Sequence, residues 1–315
     1  MKPFRKNVAL AVDGGGIKGV IVSRAIAILE EHLQRPAFEV FRLLVGTSTG
    51  AIVTAGISTG LFGEELHNLY CDLGPKIFRK TWRSALWPLT RYRYPLEPLQ
   101  KALEEYLGSK LMGDFWYSEK PTDLVITAFD LVKNKTLFIK PFNQSKGYDQ
   151  WPVVKAVLAS SSVPSYFPPV ENRYVDGGLG SYHNPCYVAA YEAQFVLEWD
   201  PAETTLISLG TGREPHSLDP NQIKQFWPWH WISPVLGAFQ QSSDDQQVHL
   251  VDTFFKQLDF RRFQVNLNEL YPLDEPDKIP ELTGYGDQLG EMILSDQTDQ
   301  AMEIQPNKAM DPDLQ

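Results

Sequence analysis

Residues 7–12, Asn-Val-Ala-Leu-Ala-Val, are apolar almost without a break and stop abruptly at Asp13-Gly14-Gly15-Gly16. A short apolar run ended by glycines reads as a strand buried on both faces that enters a tight turn. Helices covering both sides of a sheet bury such a strand. The chain repeats the pattern. From Lys18 to Gln34, Val20, Ile21, Ala25, Ile28, Leu29 and Leu33 recur at helical spacing. Residues 41–46 read as a second strand, followed by an Ala- and Gly-rich helix from Thr49 to about Thr59. A strand pair is expected at 123–130 and 135–140, a helix around 152–161, and a short strand at 173–175 leading into Asp176-Gly177-Gly178. The last clear strand, 204–209, ends in Gly210-Thr211-Gly212. The expected fold class is therefore α/β, with a mostly parallel central sheet flanked by helices on both faces. Residues 1–213 form the expected core, and residues 214–300 a helical, aromatic part packed on the same domain. Residues 301–315 read as a polar, loose tail.

Composition narrows the function. With a net charge of −10 over 315 residues, the chain lacks the basic surface that nucleic-acid binding demands. Its two cysteines, Cys71 and Cys186, show no CxxC or metal-type spacing, which points to a reducing compartment. The apolar run after Lys2, Arg5 and Lys6 ends at Val12, too early for a signal-peptide core. No stretch reaches the roughly 18 apolar residues of a spanning helix. A soluble cytoplasmic protein, at most peripheral at membranes, is expected.

Gly46-Thr47-Ser48-Thr49-Gly50 stands where strand 41–46 turns into a helix. A serine at that bend is exposed at the positive end of the helix, as a nucleophile needs. The glycines two residues to either side leave room for close backbone approach. A plain helix N-cap would use the same residues, but the strand–turn–helix setting favours the catalytic reading.

The three glycines after Asp13 let several N–H groups converge on one point. Such a nest can hold a phosphate or the oxyanion of acyl transfer. The loop also resembles the first phosphate loop of actin-like sugar kinases, with Leu209–Gly212 as a second, so nucleotide binding is the rival reading. Asp176, at the end of its strand, could take the proton of Ser48 directly as general base. A conventional triad would need a histidine after Ser48. His183, seven residues past Asp176, is the one to watch, although a surface or packed role is the ordinary expectation. No grouping shows metal-ligand spacing.

In order, Asp13–Gly19, Gly46–Gly50 and Asp176–Gly178 resemble the motifs of the patatin-like phospholipase family. Ala159–Pro164, Phe167-Pro168-Pro169 and Ser208–Gly212 do so as well, and weaker echoes occur near 273–290. The resemblance covers roughly residues 7–213. It implies a three-layer architecture and a Ser–Asp dyad with Ser48 as nucleophile and Asp176 as base. It also implies an oxyanion hole from the N–H groups of Gly14, Gly15 and Gly16. The expected substrate is a phospholipid or other acyl lipid, and the dyad needs no cofactor and no metal. A storage or interaction protein that retains the fold without activity is a further alternative.

Residues 76–101 carry seven Lys/Arg against one Glu, interleaved with Trp82, Trp87, Tyr92 and Tyr94. That island of positive charge in an acidic chain fits contact with anionic lipid or a cap over the site. Its aromatics could equally pack on the core. The run Phe226–Ile232 reads either as an entry lip or as a packed corner.

Overall fold

The computed structural model describes residues 1–299 except 88, 117–120, 143–145, 216–219, 226, 228–229 and 231. The expected tail at 301–315 lies outside the described residues, as does most of the aromatic run at 226–232.

Strand β1 (Asn7–Val12) leads through the glycine loop into helix α1 (Gly19–Leu33). Strand β2 (Leu43–Gly46) runs straight into α2 (Thr49–Thr59), and α3 (Gly63–Ile77) and α4 (Glu97–Leu107) follow. Strands β3 (Asp123–Asp130) and β4 (Lys135–Ile139), α5 (Val153–Ser161) and β5 (Tyr174–Asp176) complete the first half. Then come α6 (Cys186–Tyr191), β6 (Thr204–Leu209), α7 (Ile232–Phe254), β7 (Asp259–Phe263) and α8 (Ile279–Leu294).

The sheet has the order β4-β3-β2-β1-β6-β7, with β5 also pairing β3. Strands β3, β2, β1, β6 and β7 are mutually parallel, while β4 and β5 run antiparallel to β3. Side-chain alternation divides the core in two. Leu10 and Val12 of β1, with Leu44 and Ile126, face the larger cluster made with α1 to α5 and α8. Ala9 and Ala11, with Leu43, Val45 and Val125, face a smaller one made with α6 and the end of α7. Helices thus cover both faces of a mostly parallel sheet, as the apolar strands demand.

Strand 204–209 is not the last: β7 follows it and pairs along its whole length. The sequence Asp-Phe-Arg-Arg-Phe reads as polar, yet Arg261 and Arg262 are both buried. Each is compensated by a carboxylate, Asp259 for Arg261 and Asp13 for Arg262. Helix α8 packs on α1 so closely that a Cβ on Gly290 would stand 2.7 Å from Ile28 Cδ1. The C-terminal part therefore contributes a strand to the sheet as well as helices.

Register on β3 sets up the site. Gly46, the last residue of β2, pairs with Ile126. Strand β4 occupies the other edge of β3 over residues 126–130, so β5 takes the β2 edge and pairs Asp176 with Ala128. The end of β5 therefore faces the residues that leave β2.

Candidate active site

Ser48 sits between β2 and α2 with φ 55° and ψ −121°. A left-handed φ on a non-glycine residue costs on the order of 1–3 kcal/mol and persists only where its surroundings hold it. Here Ser48 N–H donates to Ser160 Oγ (2.8 Å), and the Ser161 hydroxyl donates to the Ser48 carbonyl (3.2 Å). Both partners end α5, so that helix braces the elbow. A Cβ on Gly46 would collide with the carbonyl oxygen of Gly50, and one on Gly50 with that of Val12. Both glycines are required by close approach.

Asp176 is buried, and its Oδ1 accepts the Gly178 N–H at 2.7 Å. Oδ2 is buried without a hydrogen-bond partner among the described residues. Burial pushes the carboxyl up to about 6, opposed by the Ser48 hydroxyl, the Gly178 N–H and the charge of His183. Ser48 is thus close enough to stabilise the carboxylate, although no bond of ordinary geometry is closed. Contacts of this kind commonly tighten only with substrate present. Thr127 supports the region from β3 through a hydroxyl contact with Thr47 (2.7 Å).

The glycine loop adopts left-handed backbone at Gly15 (φ 153°) and Gly16 (φ 60°). All three glycines were expected to donate to an anion. Instead the Gly14 N–H is taken by the carbonyl of His183 (3.0 Å). Gly15 and Gly16 have no backbone N–H partner among the described residues. Arg262 of β7 anchors the loop by donating to both carboxylate oxygens of Asp13 (2.8 and 2.5 Å) and to Ser208 Oγ (2.8 Å). The Thr211 hydroxyl donates to the Gly14 carbonyl (2.5 Å), and Lys18 pairs with Glu214 (2.7 Å). In the second glycine turn the Gly210 N–H goes to the Phe263 carbonyl and the Gly212 N–H to Gln264 Oε1. That leaves those donors unavailable to a phosphate.

His183 is neither a surface residue nor mere packing. Its Nδ1 lies 2.9 Å from Asp244 Oδ2 on α7, and its ring stands beside Gly14 and Gly178. Ligand atoms of Asp13, His183 and Asp244 lie within 4.8 Å of one another. The Arg262 guanidinium already supplies positive charge at Asp13. Sequence reasoning missed Arg262 and Asp244, and gave Ser160 no role beyond its place in the Ala159–Pro164 segment. The first sits in a strand that reads as polar, and Asp244 on α7 looks like any solvated helical carboxylate.

A cavity of about 680 Å³, open solvent at its mouth included, is lined by Ser48. Ile52 of α2, Leu69 and Leu73 of α3, and Leu99, Ala102 and Leu103 of α4 line it as well. Phe78, Tyr166 and Phe167 also border it.

Residues 76–101 divide between the two readings. Tyr94 is buried, donates to Asp274 Oδ2 (2.8 Å), and stacks edge-on against Phe78. By contrast Trp82, Leu86, Trp87 and Leu89 are exposed, Leu89 at 88%. Arg83 lies over Trp82 and Tyr92, and Arg93 over Trp87.

A strained serine elbow, a glycine loop and a buried aspartate on one mostly parallel sheet define an α/β protein with a serine site. The model of the patatin-like phospholipase family matches residues 10–190, and the chain belongs to that family. The calcium-independent phospholipase A2-gamma of Oryctolagus cuniculus is 28% identical over 300 residues, 84% of this chain and 35% of that protein. The cGAMP-activated phospholipase of Escherichia coli (strain TW11681) is also 28% identical, over 69% of this chain and 66% of its own length. Patatin-17 of Solanum cardiophyllum is 25% identical, over 82% of this chain and 75% of its own. The chain thus spans about a fifth to two thirds of the length of the phospholipases it matches. The family membership does not favour a sugar kinase. Among the described residues, no helix is long and apolar enough to cross a membrane.

Proposed function

We propose that this protein is a lipid acyl hydrolase acting through an acyl-enzyme on Ser48. The observation that carries this reading is the cavity: the strained serine and apolar side chains of α2, α3 and α4 line the same space. An acyl chain buried there gains about 0.8 kcal/mol per methylene. Its ester carbonyl is thereby held at the elbow.

Asp176 is the general base. Ser48 Oγ attacks the ester carbon while its proton passes to Asp176 Oδ2, the buried oxygen with no hydrogen-bond partner among the described residues. The carbonyl oxygen becomes an oxyanion stabilised by the N–H groups of Gly15 and Gly16 and by the start of α2. Collapse breaks the ester C–O bond, and the proton moves from Asp176 to the departing alcohol or lysolipid. Water, deprotonated by Asp176, then attacks the acyl-serine, and the fatty acid leaves with Ser48 reprotonated.

The exposed Trp82, Leu86, Trp87 and Leu89, close in sequence to Arg79, Lys80, Arg83 and Arg91, support docking of this segment on an anionic lipid surface. Ile77 and Phe78 connect the segment to the cavity wall. Both cysteines are free thiols, which supports a reducing compartment.

The test is release of fatty acid from phospholipid vesicles. Wild type is expected to release it, with Ser48→Ala and Asp176→Asn inactive. Co-sedimentation tests the docking: Arg79→Glu, Lys80→Glu and Arg83→Glu together should weaken binding to anionic vesicles and leave hydrolysis of a soluble ester intact. Unchanged vesicle binding contradicts the docking surface.

A further inference from the structure

The imidazole of His183 lies against both glycine turns of the site. A Cβ on Gly14 would stand 2.7 Å from His183 Cδ2, 3.0 Å from its Nε2 and 3.4 Å from Ser48 Cβ. A Cβ on Gly178 would stand 3.0 Å from Asp176 Oδ1 and 3.4 Å from His183 Cδ2. One ring edge is therefore a single methyl's width from Ser48 and from the Asp176 carboxylate. No hydrogen bond joins His183 to Ser48 among the described residues.

The opposite edge is fixed from another layer of the fold. Asp244 on α7 takes His183 Nδ1 with Oδ2 (2.9 Å) and the Asn184 N–H with Oδ1 (3.0 Å). A ring nitrogen bound to a carboxylate carries the proton, which sets the ring's orientation. The carbonyl of the same histidine holds the Gly14 N–H. One residue thus ties together the loop after β1, the turn after β5 and the helix α7.

The charged groups facing His183 are Asp244 from α7, Asp13 from the loop after β1 and Asp176 from the end of β5. Arg262 of β7 compensates Asp13 directly. Burial opposes a charged imidazole, but Asp244, with Asp13 and Asp176, outweighs it and holds the His183 pKa above its ordinary value. Conversely, His183 is one of the groups that draw the Asp176 carboxyl down against burial.

We infer that His183, braced by Asp244, is a positioning residue that holds the glycine loop against the Asp176 turn and places positive charge beside the carboxylate that receives the Ser48 proton. The inference rests on the Ser48–Asp176 reading above. His183 does not replace Asp176 as base. It makes the ionised carboxylate more accessible in a site that otherwise disfavours it.

The test is the pH profile of kcat/KM on a soluble p-nitrophenyl ester, measured on the full chain. Wild type, His183→Gln, Asp244→Asn and the double variant are compared. Without the imidazolium, Asp176 gains its proton at higher pH. The acid limb of His183→Gln should therefore move up by about one pH unit. Activity at pH 8 should stay within roughly tenfold of wild type. Asp244→Asn, which keeps the ring but removes its charge partner, should move the limb the same way. The double variant should move it no further than His183→Gln alone.

Two results would overturn the inference: an unmoved limb in a variant that melts like wild type, or a uniform loss of activity at every pH. If His183→Gln does not fold, Asp244→Asn decides by the same limb. Fluorophosphonate labelling at pH 8 separates this failure from failure of the dyad. Both variants should still label, whereas labelling of Ser48→Ala would remove the dyad itself.

Discussion

Ser48 and Asp176 meet because β2 and β5 share one edge of β3: Gly46 pairs with Ile126 and Asp176 with Ala128, two residues further along. The Ser48 hydroxyl then lies near enough to the Asp176 carboxyl to oppose the effect of burial on it. Parallel β2 delivers the serine as it leaves the sheet, and antiparallel β5 brings the aspartate to the same place from the opposite direction. In the proposed dyad the serine proton passes to the aspartate directly.

Asp176 should set both a pH limb and a stability cost. Its carboxyl, pushed up to about 6 by burial, must be ionised to accept a proton. The expected kcat/KM falls about tenfold per unit below pH 6 and is flat above it. In stability the sign is reversed. A raised carboxylate pKa means the folded state binds the proton more tightly, so ionisation above pH 6 destabilises it. Asp176→Asn should therefore be inactive yet more stable than wild type at pH 7.5, by about 1–3 kcal/mol. That advantage should shrink as pH falls from 6 towards 4. Denaturant midpoints at the two ends of this window check it.

Gly15 is the most sensitive position of the loop. Its φ of 153° is strained for any L side chain, and a Cβ there would strike the Thr211 side chain. Gly15→Ala should lower kcat by ~10²–10³, the loss typical of one oxyanion donor. Comparison with Gly60→Ala, where a Cβ meets nothing within 4 Å, controls for φ strain at a glycine remote from the site. The control should lose stability but keep its rate.

The apolar lining of the cavity should decide acyl length. Ala102 of α4 lines it beside Leu99 and Leu103. Ala102→Phe is expected to cut kcat/KM on long-chain p-nitrophenyl esters at least tenfold, with butyrate changed by less than about threefold. Equal losses on both esters would mean that the acyl chain lies elsewhere.

Breaking the buried Arg262–Asp13 pair from one side should be costly in stability. Both side chains are buried, and Arg262→Met would leave the Asp13 carboxylate without its partner. A loss of about 3–5 kcal/mol in denaturant unfolding is expected, much of it recovered by adding Asp13→Asn. A double variant no better than the single one would show that the pair does not act as a unit.

Strands that read clearly in the sequence were those buried on both faces, such as Val8–Val12 and Thr204–Leu209, where no polar residue disturbs the apolar run or glycines end it. The elbow was legible because its chemistry is local: glycine, serine and glycine must stand at fixed spacing where a strand becomes a helix. Strand β7 was not, since Arg261 and Arg262 make it look solvated until their carboxylate partners, Asp259 and Asp13, are seen across the fold. Pairings across long loops were hidden for the same reason. Asp244 lies 61 residues from His183, with only α7 to bring it back. Gly14 carried a different lesson: composition shows a glycine with a donor, and only the folded chain shows that His183 already uses it.

The central claim is that Ser48 is the nucleophile. Intact-protein mass spectrometry after incubation with a fluorophosphonate tests it most directly. The expected result is a single adduct on wild type, mapped to the peptide bearing Ser48, and none on Ser48→Ala that retains the wild-type melting temperature. An adduct of equal yield on Ser48→Ala would contradict the account.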